Sequence, residues 1–489
     1  MLDNARKFGS SLKNISIKKG SRVLFLVKNR IETPEIMLGI LSIGAVVISI
    51  NGNTNISAIN EIIGELKPEC IILFDFPDIN LLLNVCKNIV VVNCSENGDS
   101  SEFLKYEKMI GEGCSDVQVA DVHSSHPAFI FMTSGSSGKP KAVVASHGKI
   151  DNILSYFFNF YSQLSSEENN ESLENSDNFI TTLPISHMSS MASFFVRILN
   201  GIPVYLLDAF DQSLYLQLLL DLRCRYIMLV PSMYMRLLDE IGKFPGLNCN
   251  FVKYTVVVGE VSRISLIDSI ERLFNSVTLT PYGLTECVSG IGYLKSDFAQ
   301  GLIKRESCGK LFFGEAKLVD ECGKTVASEG ELWVKNATVD ECYLDGSIND
   351  EKICNGWFRT GDIFYRDEEG YYFYKGRADD MFICNGYNIF PLSVENLLAK
   401  HPCIEMACVV PIIDLAGNQI PAVMASVSSE SFSEQELIVH CVKNGPTHAI
   451  PKYVLFVNDI PKLATGKMDK KMICEALQKS YNQSRIYTT

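Results

Sequence analysis

Apolar positions in the first hundred residues gather into short runs separated by amphipathic stretches. Val23-Leu-Phe-Leu-Val27 and Ala45-Val-Val-Ile-Ser-Ile50 have the length and near-continuous apolarity of strands buried on both faces. Between them the pattern predicts a helix to about Ile43. Thr33-Pro34-Glu35 reads as cap, first-turn proline and acidic start, and Gly44 releases the chain. Ser57–Leu66 is amphipathic at helical spacing, and Cys70–Phe74 and Ile89–Val92 read as further strands. Alternating strands and helices predict parallel sheets covered on both faces. The stretch Ser165–Asn178 is acidic and nearly free of apolar residues, which predicts a mobile surface loop. From Gly309 to Tyr374 the texture changes to short β-rich runs, such as Gly330–Lys335 and Gly370–Tyr374. That predicts a barrel-like or antiparallel subdomain. Beyond Gly376-Arg377 the pattern becomes a compact α+β segment.

Bulk properties narrow the function classes. A chain of 489 residues is too long for one core and implies two or more domains. The charge balance, 44 − 57 = −13, comes with no basic run, which argues against nucleic acid or an anionic membrane as the main partner. Ile36–Ile50, the longest uncharged apolar run, is too short for a membrane span and contains Gly39 and Gly44. The 16 cysteines include no C-x-x-C pair, and Met1–Lys7 lacks a signal-peptide apolar region. A cytoplasmic enzyme with cysteine as a small core residue is the expectation. Seven scattered histidines offer no zinc spacing.

Candidate chemistry begins at Thr133-Ser-Gly-Ser-Ser-Gly-Lys-Pro-Lys141, directly after the apolar run Ala128–Met132. Glycine and serine let backbone N–H groups approach an anion, hydroxyls add donors, and lysine adds charge. The chemistry suits a polyphosphate. A Walker loop needs G-x-x-x-x-G-K-[ST] opening a helix. Here Gly135 and Gly138 are three apart and Lys139 is followed by Pro140, which lacks an N–H. A kinase or GTPase loop is therefore disfavoured.

Five further motifs follow in order: Leu183-Pro-Ile-Ser-His187, Tyr282-Gly-Leu-Thr-Glu286, Gly356-Trp-Phe-Arg-Thr-Gly-Asp362, Gly376-Arg-Ala-Asp-Asp380 and Pro461-Lys-Leu-Ala-Thr-Gly-Lys467. Read singly, Glu286 and Asp362 could be turn acids, Lys467 and Arg377 surface charges, and His187 a packed polar residue. Their order changes that reading. The set resembles the adenylate-forming superfamily of acyl-CoA synthetases, peptide-synthetase adenylation domains and beetle luciferases, across nearly the whole chain.

The resemblance implies an α/β fold. A large N-terminal domain (1–376) of stacked α/β subdomains with a barrel-like subdomain would carry the nucleotide and acyl sites. A small α+β lid (377–489) would turn on a hinge near Asp379. It also implies ATP and Mg²⁺ as cofactors, a small carboxylic acid as substrate, and CoA or a carrier-protein phosphopantetheine as acceptor. Thr133, Ser134, Gly135, Ser136, Ser137 and Gly138 would wrap the β- and γ-phosphates, with Lys139 and Lys141 nearby. Thr285 would donate to the α-phosphate and Glu286 would ligate Mg²⁺. Tyr282 would pack on adenine, with Gly283, Gly259 and Glu260 at the nucleotide. Asp362 would accept from the ribose hydroxyls, and Arg377 would lie close to the same sugar. Lys467 would bridge the carboxylate and α-phosphate; His187, Met188 and Val258 would line the acyl pocket. Lid turning would withdraw Lys467 and bring up Asn385–Ile389, where Gly386 leaves room for a thiol.

The chemistry needs no general base, because a carboxylate is already ionised near neutrality. Its barrier is the approach of two anions, which positive charge, N–H donors and positioning lower. Three departures from the family pattern bear on the substrate and the first subdomain. Val258-Gly-Glu260 stands where acyl-CoA synthetases carry Gly-Gly-Ala, and the first subdomain reads as trimmed. Met188 stands where α-amino-acid adenylation domains carry an aspartate. A thioether cannot balance a buried ammonium, and leaving one unpaired costs roughly 3 kcal/mol or more. A simple aryl or aliphatic acid is therefore expected, with Glu260 the one residue that could instead pair a more distant amine. A luciferase-like oxygenase has no motif in its favour, and a dead binding module conflicts with the presence of Glu286, Asp362, Arg377 and Lys467.

Overall fold

A computed structural model describes residues 1–489 apart from 77–81, 83–88, 95–102, 117, 135–139, 164–177, 261, 295, 298–300, 302, 340–342, 345, 430, 463–467 and 487–489. The expected acidic loop at 165–178 falls almost wholly outside the described residues.

The first sheet has seven strands. In spatial order they are Leu104–Lys105, Val90–Asn93, Cys70–Leu73, Arg22–Val27, Val46–Asn51, Pro127–Ser134 and Pro140–Ser146. All pair in parallel except the last, which runs antiparallel to its neighbour. Alternation along Arg22–Val27 sends Val23, Phe25 and Val27 to one core and Leu24 and Leu26 to the other, so both faces are covered. The helix Ile56–Leu66 begins where the Asn55 side chain accepts from the Ala58 N–H.

The helix Glu32–Ser42 corrects one expectation. Its N-cap is Ile31, and Thr33 and Pro34 lie inside the first turn. Thr33 Oγ1 donates backward to the Lys28 carbonyl instead of capping. Proline is tolerated there because a first-turn N–H has no helical partner.

A second α/β unit carries the parallel strands Tyr226–Leu229, Tyr254–Val257 and Val277–Leu279, with helices Gln212–Leu222, Pro231–Gly242 and Ile264–Phe274. Beyond it comes an eight-stranded antiparallel sheet. Its central path runs Ser307–Leu311, Tyr371–Arg377, Trp357–Arg366, Glu329–Lys335 and Glu315–Val319. The β-rich texture is thus an antiparallel sheet, and its hydrogen-bonded path does not close on itself among the described residues.

From Phe382 onward the chain builds a smaller α+β unit. Ile404–Ile413 and Gln419–Val427 pair antiparallel, and Tyr453–Phe456 joins in parallel. Helices Pro391–Leu398 and Glu434–Asn444 pack one face and Lys470–Ile486 the other. A cleft of about 650 Å³ separates this unit from the antiparallel sheet, lined in part by Glu321, Glu331, Lys375, Asn388 and His448. Asn388 bridges it by donating to Glu321 at 3.1 Å. Among the described residues no helix is long and apolar enough to cross a membrane.

Candidate active site

The glycine–serine motif joins two strands of one hairpin. Thr133 and Lys141 are cross-strand partners, and Thr133 Oγ1 donates to the Lys141 carbonyl at 3.4 Å. The chain leaves the motif as a strand beginning at Pro140, consistent with the absence of a Walker-type helix start. Ser134 ends the incoming strand, and Gly135, Ser136, Ser137, Gly138 and Lys139 lie outside the described residues.

The segment Tyr282–Ser289 has no regular secondary structure, so side chains must hold it. Ser289 Oγ donates to the Tyr282 carbonyl at 2.7 Å, and the Val288 N–H donates to Thr338 at 3.0 Å. Thr285 and Glu286 are half-buried and Gly283 is exposed. Glu286 Oε1 accepts from the Tyr343 hydroxyl at 2.7 Å. Tyr343 itself bridges to Val143, two residues past Lys141, so Glu286 is tied to the outgoing strand of the glycine–serine hairpin.

Asp362 faces Arg377 across adjacent antiparallel strands. It is 5% exposed and accepts from Tyr282 Oη at 2.5 Å and from Tyr374 Oη at 3.4 Å, with Arg377 Nε at 3.6 Å. Burial and the Asp362 charge hold the Tyr282 phenol well above its ordinary pKa, so it stays a donor. Burial is also the largest influence on Asp362 and pushes its pKa up, against the lowering effect of Tyr282 and Arg377. Cys308, on the strand that pairs with Tyr371–Arg377, is buried beside this group. Burial pushes its thiol up to about 12, and the Asp362 charge acts in the same direction.

If Asp362 accepts from the ribose hydroxyls, the role that the family resemblance implies, its raised pKa sets a pH limb. Nucleotide affinity that needs the ionised carboxylate is present above the folded-state pKa and is lost as pH falls through it. KM for ATP should therefore begin to rise at a higher pH than an ordinary carboxylate would cause, and Asp362→Asn should flatten that limb. A KM profile between neutral pH and pH 4.5 checks this.

Val258, Gly259 and Glu260 directly follow the strand Tyr254–Val257. They stand at the carboxyl end of a parallel sheet, where open α/β folds bind ligands. Gly259 has φ +91° and Glu260 is exposed. His187 is an exposed N-cap residue of the helix Met188–Leu199. Met188 is 4% exposed and belongs to the main core with Ile185, Met191 and Phe194. In the smaller unit, Asn385 (φ +51°) and Gly386 (φ +81°) form the tight tip between Phe382–Cys384 and Tyr387–Ile389. Both positive φ values define a type I′ hairpin turn, and a side chain added at Gly386 would meet open space. Asp379 is exposed, while Asp380 binds Lys470 at 2.6 Å. Lys467 lies outside the described residues.

The structure therefore gathers Tyr282, Asp362 and Arg377 in one group and ties Glu286 to the glycine–serine hairpin. Sequence reasoning missed Tyr343 and Tyr374, which hold the two acids. For Tyr374 a signal existed, since it lies in the same strand as Arg377.

Solved structures match this architecture over nearly the whole chain. ATP-bound MatB from Rhodopseudomonas palustris aligns with TM-score 0.86 at 19% identity, over 98% of this chain and 93% of that one. The anthranilate CoA ligase AuaEII in complex with anthranoyl-AMP aligns with TM-score 0.84 at 20% identity, over 98% and 92%. These likenesses define the fold: a large α/β domain followed by a small C-terminal unit. The AMP-binding enzyme model matches residues 1–344 and the AMP-binding enzyme C-terminal domain model residues 393–467. The chain belongs to the AMP-binding enzyme family, and it is an acid–thiol ligase. Among its relatives, the 2-succinylbenzoate–CoA ligase of Bacillus licheniformis is 26% identical over 96% of this chain and 92% of that protein. The 2-succinylbenzoate–CoA ligase of Listeria monocytogenes is 30% identical over 76% and 77%.

Proposed function

We propose that the protein joins an aromatic carboxylic acid of the 2-succinylbenzoate type to coenzyme A through an acyl-adenylate, using ATP and Mg²⁺. The observation that carries this reading is the grouping of Tyr282, Asp362 and Arg377, with Glu286 four residues along the same segment as Tyr282. The names of the relatives favour coenzyme A as acceptor over a carrier-protein pantetheine, and an aromatic acid as substrate.

In the first step a carboxylate oxygen attacks the α-phosphorus and the bond to pyrophosphate breaks. In the second, the thiol sulfur attacks the acyl carbon, AMP leaves with the bonding electrons, and the thiol proton passes to solvent. Asp362 accepts from the ribose hydroxyls, with Arg377 beside the same sugar and Tyr282 against the base. Thr285 donates to the α-phosphate, and the Thr133–Gly138 loop with Lys139 and Lys141 holds the outer phosphates. Glu286 suits Mg²⁺, which takes one or two carboxylates and completes its shell with phosphate oxygens and water. Bound there, the metal neutralises charge on the departing pyrophosphate. Val258 and the His187–Met188 helix start border the acyl group, and Gly259 and Glu260 face the nucleotide side. Residues 377–489 act as a lid on a hinge at Asp379, presenting Lys467 for adenylation and the Gly386 tip for thiol transfer.

Purified protein should exchange pyrophosphate into ATP and form a CoA thioester with 2-succinylbenzoate. It should reject α-amino acids by at least about 10²-fold in kcat/KM. Preference for an amino analogue, lost in Glu260→Gln, would overturn the simple-acid reading. Transfer to a carrier protein but not to coenzyme A would overturn the acceptor.

A further inference from the structure

The strand that presents Asp362 is not regular. Its partner Glu329–Lys335 pairs Glu331 with Ile363 and Trp333 with Arg359. Leu332 alone therefore stands opposite three residues, Thr360, Gly361 and Asp362. Such a bulge re-aims a side chain and leaves backbone groups that need other partners. Here four of them find partners outside the ladder. Thr360, 3% exposed, donates from Oγ1 to the Leu332 carbonyl at 2.7 Å and accepts the Asp362 N–H at 3.1 Å. The Gly361 carbonyl accepts the Ala378 N–H at 2.8 Å. The Gly361 N–H donates to Glu331 Oε1 at 2.9 Å. The other carboxylate oxygen of Glu331 accepts Trp333 Nε1 at 3.0 Å, with an Arg359 guanidinium nitrogen 4.0 Å away.

We infer that Glu331 is a positioning residue for nucleotide recognition: its carboxylate clamps the Thr360–Asp362 bulge and so fixes the approach of Asp362 to the ribose. The inference rests on the assignment of Asp362 to the ribose hydroxyls. The indole N–H orients one Glu331 oxygen, and the other satisfies a backbone N–H that has no ladder partner. Gly361 has φ +74°, so the glycine itself supplies little stiffness and the side-chain clamp must. Releasing it lets Asp362 drift, and a misplacement near 1 Å costs a positioned group up to about 10²-fold.

The test compares ATP with 3′-deoxy-ATP and 2′-deoxy-ATP in wild type, Asp362→Ala, Glu331→Ala, Glu331→Asp and Glu331→Gln. Glu331→Ala should raise KM for ATP about tenfold and shrink the preference for ATP over the deoxy nucleotides at least about fivefold. KM for the acid should stay within about twofold of wild type. Glu331→Asp, whose shorter side chain withdraws the acceptor from Gly361, should behave like Glu331→Ala and serves in its place if that variant fails to fold. Glu331→Gln keeps one acceptor oxygen but turns its amide NH2 toward either the Trp333 or the Gly361 N–H, so it should recover only part of the discrimination that Glu331→Ala loses. If Asp362→Ala loses ribose discrimination while Glu331→Ala and Glu331→Asp keep it, the clamp is refuted and the ribose assignment stands. If Asp362→Ala itself keeps full discrimination, the ribose assignment fails and the inference falls with it.

Discussion

Lys467→Ala should lower adenylation roughly 10²–10³-fold, the scale seen when one preorganised donor to a developing charge is removed. Acyl transfer from a supplied acyl-adenylate should stay within about twofold of wild type. The first step brings a carboxylate against an anionic phosphate, and at contact distance two like charges repel by several kcal/mol in a partly desolvated site, about 4 at 4 Å. An ammonium between them, the role proposed for Lys467, would offset much of that repulsion. The second step brings a thiol to a neutral acyl carbon and has no such repulsion. Pyrophosphate exchange reads the first step, and thioester formation from isolated acyl-adenylate reads the second. Equal loss in both would refute the assignment.

Glu286→Ala should have the next largest effect, an adenylation loss of about 10²-fold together with a shift of the Mg²⁺ half-saturation to higher concentration. Tyr343→Phe removes the hydroxyl that donates to Glu286 at 2.7 Å but leaves the carboxylate. Its cost should be nearer tenfold, in line with the loss of an outer partner of a metal ligand. A Mg²⁺ titration of the initial rate distinguishes these outcomes. An unchanged half-saturation in Glu286→Gln would remove Glu286 from the metal.

Much of this was legible in the chain. Strands such as Val23–Val27 announce themselves because both faces are apolar, and the structure places them within a residue of expectation. The candidate acids were legible because they stand in short motifs. Their partners were not. Tyr374 reaches Asp362 through strand pairing, Tyr343 reaches Glu286 across 57 residues of sequence, and the clamp on Gly361 depends on a register shift that no local pattern reports. Met188 shows a further limit: its motif position alone does not report that its side chain packs with Ile185, Met191 and Phe194. Thr33 does not cap because the helix begins earlier, with Ile31 as N-cap, which leaves Thr33 inside the first turn donating to the Lys28 carbonyl.

The burial of Cys308 bears on the fate of the intermediate. An acyl-adenylate is a mixed anhydride, and a thiolate beside it is a competing acceptor. With its thiol pushed up to about 12 by burial, Cys308 stays protonated at neutral pH, and the thiolate is the nucleophilic form. A thiol this buried and this weakly acidic is a poor acceptor for any acyl group formed nearby, whereas an exposed thiol of ordinary acidity is not.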